Sequence, residues 1–252
     1  MEKRLDKINE QLSIYQYTDG FAYGTDAVLL AAFASVKKGE KGADLGTGTG
    51  IIPILLAHHK SPEKIYAFEI QEDYALLARE NAVRCNFSDK IEVICENVKN
   101  IFPGYLRERG VEALDFVVTN PPYMKMTSGA LGESERKIVA RHEKYCDISD
   151  IARAASNLLK NGGDMYIIYR TERLCDLFFA LRENNLEPKE LVFVRSFEKD
   201  EPKLIMCRAR KCASSSLKVS DFVIYESALK NTPEMDEVYK NGRIGDLHGK
   251  RN

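Results

Sequence analysis

Asp44-Leu45-Gly46-Thr47-Gly48-Thr49-Gly50 is the stretch on which the reading of the fold turns. A short apolar strand candidate, Gly42–Leu45, runs into it, and the apolar run Ile51–Ala57 leaves it. Glycines at alternate positions let the chain turn tightly between a strand and a helix and let a ligand approach the backbone. The dinucleotide fingerprint would need glycine at Ile51 instead of Gly50, and a P-loop would need a Gly-Lys-Ser/Thr ending, which is missing. A GxGxG loop led by an acid suits a ligand with no phosphate to cradle and a cationic amino group to hold. Asp44 is then the acceptor for that ammonium.

Outward from the loop, the pattern is regular. Strand candidates are Ile65–Ile70, Ile91–Cys95, Leu114–Thr119 and Met165–Tyr169, and helical stretches alternate with them. Tyr74, Leu77, Ala78, Asn81 and Ala82 recur at helical spacing. So do Ile148, Ile151, Ala152, Ala155 and Leu159, with Asp147 as N-cap and Asn161-Gly162-Gly163 as the stop. Leu174, Leu177, Phe178 and Leu181 form a third stripe, opened by Thr171. Asp26–Phe33 reads as an earlier helix. Short apolar strands alternating with helices predict a parallel sheet covered on both faces, an α/β fold. Leu191–Arg195 and Leu204–Arg208, joined through Glu198–Pro202, predict an antiparallel hairpin at its edge. Residues 213–252 show one strand-like segment, Phe222–Tyr225, and a polar end.

Composition sets bounds. The 252 residues hold 37 Lys+Arg against 38 Asp+Glu, for a net charge of -1, which excludes a polycation but not a local basic patch. Hydrophobic residues make 44% and charged residues 30%, which excludes wholesale disorder. There is no apolar run long enough for a membrane span and no apolar segment behind Met1–Asp6, so neither a membrane nor a secretory route is expected. Cys85, Cys95, Cys146, Cys175, Cys207 and Cys212 form no CxxC pair; reduced thiols and no metal site are expected.

Three further features bear on chemistry. Glu69 ends the second strand, 19 residues beyond Gly50, where a carboxylate can accept from both ribose hydroxyls of a nucleoside. The third strand ends at Cys95-Glu96-Asn97-Val98, where Asn97 either meets an adenine edge or serves an ordinary turn. The fourth strand runs into Asn120-Pro121-Pro122-Tyr123, the most specific signal in the chain. The prolines stop the strand and project the Pro121 carbonyl as an acceptor. Asn120 adds a side-chain oxygen. Two converging acceptors can grip the hydrogens of a planar amino group, with Tyr123 stacked on the ring that carries it.

With the glycine loop, Glu69 and Asn120–Tyr123 in place, the chain resembles a class I S-adenosylmethionine-dependent methyltransferase of the amino-methylating group over residues 41–170. Arg4-Leu5-Asp6, Leu12–Gln16 and Asp19–Leu30 extend the likeness to the bacterial tRNA(Val) adenine-N6 methyltransferase family. The resemblance implies a three-layer Rossmann-like fold with a mostly parallel seven-stranded sheet. It implies one domain: an extension over 1–38, a catalytic core over 41–212 and a tail over 213–252. It implies S-adenosyl-L-methionine as cofactor, a tRNA substrate methylated near the anticodon, and a monomeric cytoplasmic enzyme. Asn120, Pro121, Pro122 and Tyr123 map onto the catalytic motif. Tyr23, Thr25, Asp26, Asp44, Gly46, Thr47, Gly48, Gly50, Glu69, Ile70, Asn97, Val98 and Asn120 map onto the cofactor site. Family members usually carry Asp where Asn97 stands.

Several assignments stay open at this level. Met124–Tyr145, with Arg136, Lys137, Arg141 and His142, is either a lid that orders on RNA or a solvated loop. Arg195, Lys199, Lys203, Arg208, Arg210 and Lys211 make either a phosphate track or a charged sheet edge. Rival activities on the same motif are methylation of a release-factor glutamine amide, of ribosomal guanine N2 and of DNA adenine. A nicotinamide-dinucleotide dehydrogenase or a non-catalytic nucleotide-binding module is disfavoured by the missing third fingerprint glycine.

Overall fold

A computed structural model describes residues 2–20, 23–121 and 147–245. Pro122, Tyr123 and the Met124–Tyr145 segment lie outside the described residues, as does the chain beyond 245.

The alternation expected from the sequence is realised. Strand β3 (Lys41–Leu45) leads through the glycine loop into α2 (Ile51–Lys60), and β4 (Lys64–Glu69) into α3 (Glu72–Arg84). Then come β5 (Ile91–Cys95), β6 (Leu114–Thr119), α4 (Ile148–Leu158), β7 (Leu159–Arg170) and α5 (Leu174–Glu183). Helix α1 (Thr25–Phe33) precedes β3. Strands β3, β4, β5, β6 and β7 pair in parallel, so their carboxyl ends, and the loops that follow, lie along one edge of the sheet.

Side-chain alternation splits the core into two layers. Phe116 and Val118 join Ile65, Ala67 and helices α1 to α3 on one face. Val117, Ala43, Leu45 and Phe68 join α4 and α5 on the other. This is the three-layer α/β sandwich that the near-continuous apolar strands require. Gly42 is dictated by packing, because a Cβ there would lie 2.3 Å from the Phe116 ring.

The sheet corrects two expectations. It has eight strands, in the order β10-β8-β9-β7-β6-β3-β4-β5, not seven. Strand β8 spans Leu186–Arg195 and β9 Leu204–Lys211, and the eighth, β10, is Lys218–Val223, parallel to β8. Ser220 and Phe222 face inward while Lys218, Val219 and Asp221 are exposed, a short alternation that a search for apolar runs places too late. Second, the antiparallel strand is not at the edge. The β8–β9 hairpin is antiparallel as expected, but β9 inserts between β7 and β8 and pairs with both.

The end regions are more structured than the sequence suggests. Residues 1–38 open with an antiparallel hairpin, β1 (Lys3–Lys7) and β2 (Ser13–Tyr17), which packs on α3. In the tail, β11 (Tyr225–Ser227) and β12 (Lys230–Asn231) precede α6 (Pro233–Asn241). Helix α6 starts on a Thr232 cap with Pro233 in its first turn and buries Met235 and Val238. Asp147 caps α4 as read, with Asp150 completing a reciprocal capping box. The stop differs: α4 ends at Leu158, and Asn161-Gly162-Gly163 falls inside β7, where the register against β6 shifts between Leu114 and Phe116. Gly162 there takes φ +79.

Candidate methyl-donor site

The site is built at the carboxyl ends of β3, β4, β5 and β6. Register sets its geometry: Asp44 pairs with Ala67 on one side and with Val118 on the other. Gly46, Glu69 and Asn120, each two residues further on, therefore emerge level with one another. The Thr119 hydroxyl donates to the Leu45 carbonyl at 2.9 Å and ties the ends of β6 and β3 together.

The glycine loop is held from β4. The Phe68 carbonyl accepts from Gly46 N and Thr47 N, both at 2.9 Å. The Glu69 carboxylate accepts from Gly48 N at 2.8 Å and, through its other oxygen, from Gln71 N at 2.9 Å. Gly46, Gly48 and Gly50 have φ of +76, +56 and +82, which side-chain-bearing residues rarely adopt. A Cβ on Gly46 or Gly48 would meet nothing within 4 Å, so these two glycines face open space. One on Gly50 would press on Ala78 of α3 at 3.3 Å. Thus Gly50 serves helix packing, whereas the space over Gly46 and Gly48 is open.

Asp44 is fully buried, and neither of its carboxylate oxygens has a hydrogen-bond partner among the described residues. The Thr47 hydroxyl beside it is likewise unpartnered. Burial pushes the Asp44 carboxyl up to about 7; the neighbouring Thr47 hydroxyl opposes this and the Glu69 charge adds to it. An unsatisfied buried carboxylate is costly. A cationic ligand group is the natural partner for it, and the donor set therefore fits the ammonium end of a methyl donor such as S-adenosylmethionine.

At the end of β5 the structure separates two adjacent residues. Asn97 Oδ1 accepts from Lys99 N at 3.0 Å and so serves the turn at Val98–Asn100. Its neighbour Glu96, which no local sequence pattern singles out, is the hub. Glu96 accepts from Asn97 N at 2.9 Å, Asn100 Nδ2 at 2.8 Å and the Tyr105 hydroxyl at 3.3 Å. Burial alone would push its carboxyl up, but these hydrogen bonds and the Arg109 charge outweigh it and hold the group below its usual range. Ile70 and Val98 flank the hub, both half-buried.

Asn120 and Pro121 follow β6 directly, half-buried and buried respectively. Tyr23, Thr25 and Asp26 lie at the start of α1. Asp26 Oδ1 accepts from Ala27 N at 2.9 Å, and Tyr23 N donates to Gln16 Oε1 at 2.8 Å. A separate cavity of about 440 Å³ lies between the β1–β2 hairpin, α1 and α6. It touches Tyr23 and Thr25 but not Asp44, Glu69 or Asn120.

The basic residues of the β8–β9 hairpin divide. Arg208 and Arg210 lie far along β9 from the site and pair with Asp164 and Glu190. Lys211 is bonded to the Ser156 and Leu159 carbonyls. Arg195 pairs with Asp221. Lys199 and Lys203 sit in the turn at the site's end of the sheet, where Lys203 O accepts from Thr171 N at 3.2 Å. The six do not form one track.

The fold is of the Rossmann-like α/β kind, and the chain belongs to the methyltransferase small domain family, which matches residues 17–183. At higher resolution of kinship, the chain belongs to the tRNA1(Val) (adenine(37)-N6)-methyltransferase family. It is 31% identical to the Porphyromonas gingivalis protein of that name over 80% of this chain and 79% of the relative. The Trichodesmium erythraeum protein is 33% identical over 65% of this chain. The chain spans 66% of the length of that relative and 65% of a Bacteroides thetaiotaomicron one. Among solved structures, a predicted O-methyltransferase from Agrobacterium tumefaciens superposes with a TM-score of 0.69 at 21% identity, covering 86% of this chain and 97% of its own. TrmN from Thermus thermophilus superposes at 0.51 with 22% identity, over 73% and 48% of the two chains. These two likenesses speak to the fold. No helix among the described residues is long and apolar enough to cross a membrane.

Proposed function

We propose that the protein transfers a methyl group from S-adenosylmethionine to the exocyclic N6 of an adenine in tRNA, next to the anticodon. The observation that carries the reading is the buried, unpartnered Asp44 carboxylate at the start of a loop whose open Gly46 stands level with Asn120. Family membership supports the choice of acceptor, since the curated relatives are named for adenine 37 of tRNA1(Val).

In this reading Asp44 and Thr47 receive the ammonium end of the donor, with the Tyr23–Asp26 segment beside it. Glu69 orders the loop and accepts from the ribose. Ile70, Val98 and Asn97 border the adenine of the donor, Asn97 through atoms other than the Oδ1 that caps its turn. When bound, the donor supplies an electrophilic methyl on a sulfonium. The exocyclic amine of adenine is a poor nucleophile because its lone pair is delocalised into the ring. The Asn120 side-chain oxygen and the Pro121 carbonyl accept its two hydrogens, favour a pyramidal nitrogen and stabilise the positive charge that develops there; the methylated, cationic nitrogen then gives up one of those protons to solvent. Pro122 and Tyr123 complete the motif in sequence, Tyr123 as a stacking face for the base. Holding nitrogen and methyl in line contributes up to about 7–11 kcal/mol. The target base must leave its stack, which costs least in an exposed loop such as the anticodon's.

The deciding experiment is incubation with labelled methyl donor and, separately, total tRNA, ribosomal RNA, DNA and release factors, followed by mass spectrometry of the product. N6-methyladenosine in tRNA is expected. Methylglutamine or N2-methylguanosine as the sole product overturns the assignment.

A further inference from the structure

We infer that strand β2 is a positioning strap for the methyl-donor site, acting through Asn81 and Gln16. The inference rests on the proposed reading of that site and goes beyond it, because both residues lie outside the cleft.

Asn81 sits on α3 and is fully buried. Its amide is used in full. Oδ1 accepts from Tyr15 N at 2.7 Å, and Nδ2 donates to Tyr15 O at 3.0 Å and to Thr49 O at 2.9 Å. The side chain thus mimics a neighbouring strand for the outer edge of β2, where Tyr15 N–H and C=O point away from β1. With its second donated bond it holds the glycine loop between Gly48 and Gly50. Gln16, the next residue of β2, is 1% exposed and points the other way. Its Oε1 accepts from Tyr23 N at 2.8 Å, and its Nε2 donates to Asp6 on β1.

Two consecutive residues of one strand therefore reach the glycine loop at Thr49, through Asn81, and the chain that enters α1 at Tyr23, through Gln16. Strand β2 is itself anchored. Ile14 is fully buried, the Tyr17 ring meets Tyr74 edge-on at 5.3 Å, and the Tyr17 hydroxyl donates to Asp73 O at 3.0 Å. A two-stranded hairpin is marginal alone, so this one takes its rigidity from α3 and passes it to the loop. Buried amides rarely leave partners unmatched, and removing Asn81 would orphan three backbone groups at once.

The test measures S-adenosylmethionine affinity by calorimetry, methyl transfer at saturating donor and RNA, and backbone hydrogen exchange. Variants are Asn81→Ala and the volume-conserving Gln16→Met. Both are expected to weaken donor binding, Asn81→Ala by about tenfold and Gln16→Met less. Turnover at saturation should stay within about twofold, since no group touching the reacting atoms changes. Exchange should quicken at Thr47–Gly50 while Ile65–Phe68 of β4 keep their protection. Unchanged donor affinity and loop exchange in both variants, with only thermal stability lowered, would overturn the strap. If the unmodified protein bound no donor, the reading of the site would fail instead, and loop exchange in the variants would still decide the strap.

Discussion

Glu69 Oε2 accepts a hydrogen bond from Gly48 N at 2.8 Å, which locks the end of one strand to the turn that follows its neighbour. The same carboxylate closes the β4–α3 turn through Gln71 N. The acid therefore orders the glycine loop and the turn after β4 from within. Glu69→Ala removes the acceptor for both amides. Donor affinity should fall by about tenfold or more, because hydrogen bonds to a charged group are worth about 1.5–3 kcal/mol each. Calorimetry with S-adenosylmethionine checks this, and unchanged affinity would remove the role.

Asp44 predicts a pH dependence whose sign follows from its raised carboxyl. The folded group titrates at about 7, above the ordinary 3.8. Its contribution to stability is full below the unfolded value and is lost as pH rises through about 7, since ionisation in the fold is opposed by burial. An ammonium-bearing ligand needs the ionised form. Donor affinity should therefore rise with pH up to about 7 and level off above it, with proton release on binding at lower pH. Calorimetry in buffers of different ionisation enthalpy measures that release, and Asp44→Asn should abolish both it and the pH slope.

The proposed grip of Asn120 on the amine predicts a split between chemistry and donor binding. Asn120→Ala should cut turnover by about a hundredfold or more, the cost of losing one aimed polar group at a developing charge. Donor affinity should stay within about threefold. Single-turnover kinetics beside calorimetry distinguish the two, and full activity in this variant would reject the grip on the amine.

The division of basic residues on the hairpin gives opposite expectations for its two ends. Lys199→Ala and Lys203→Ala should each lower the salt dependence of tRNA binding by about one phosphate contact. Arg210→Ala should instead lower thermal stability, because it breaks a two-bond contact with Asp164 at 2.9 and 2.8 Å, and leave tRNA affinity unchanged. Filter binding across a salt series, with a melting curve for each variant, reads both.

Asp147 starts α4 with Oδ1 accepting from Asp150 N at 2.8 Å. Asp147→Ala should cost about 0.5–2 kcal/mol of stability. Chemical denaturation measures it. The loss should exceed that of Asn161→Ala, because Asn161 lies in the β7 irregularity and does not end the helix.

The elements that sequence alone determined are those written in short-range pattern. Apolar runs marked β3 to β7 and α2, helical periodicity marked α3 to α5, and alternate glycines marked the loop between β3 and α2. The spacing to Glu69 and the Asn120–Tyr123 motif pointed to the candidate site, and Asp147 announced its cap, because each is written within a few residues of sequence. What tertiary structure decided were the long-range partnerships. Strand β9 entered the interior of the sheet and β10 joined its edge, since strand order is set by pairing between segments far apart in sequence. Asn81 read as one more position in an apolar stripe until Tyr15 and Thr49, 66 and 32 residues away, were brought to its amide. Glu96 became the hub beside Asn97 only when Tyr105 and Asn100 closed over it. The raised Asp44 carboxyl is likewise a property of burial, which no residue carries in its own local sequence.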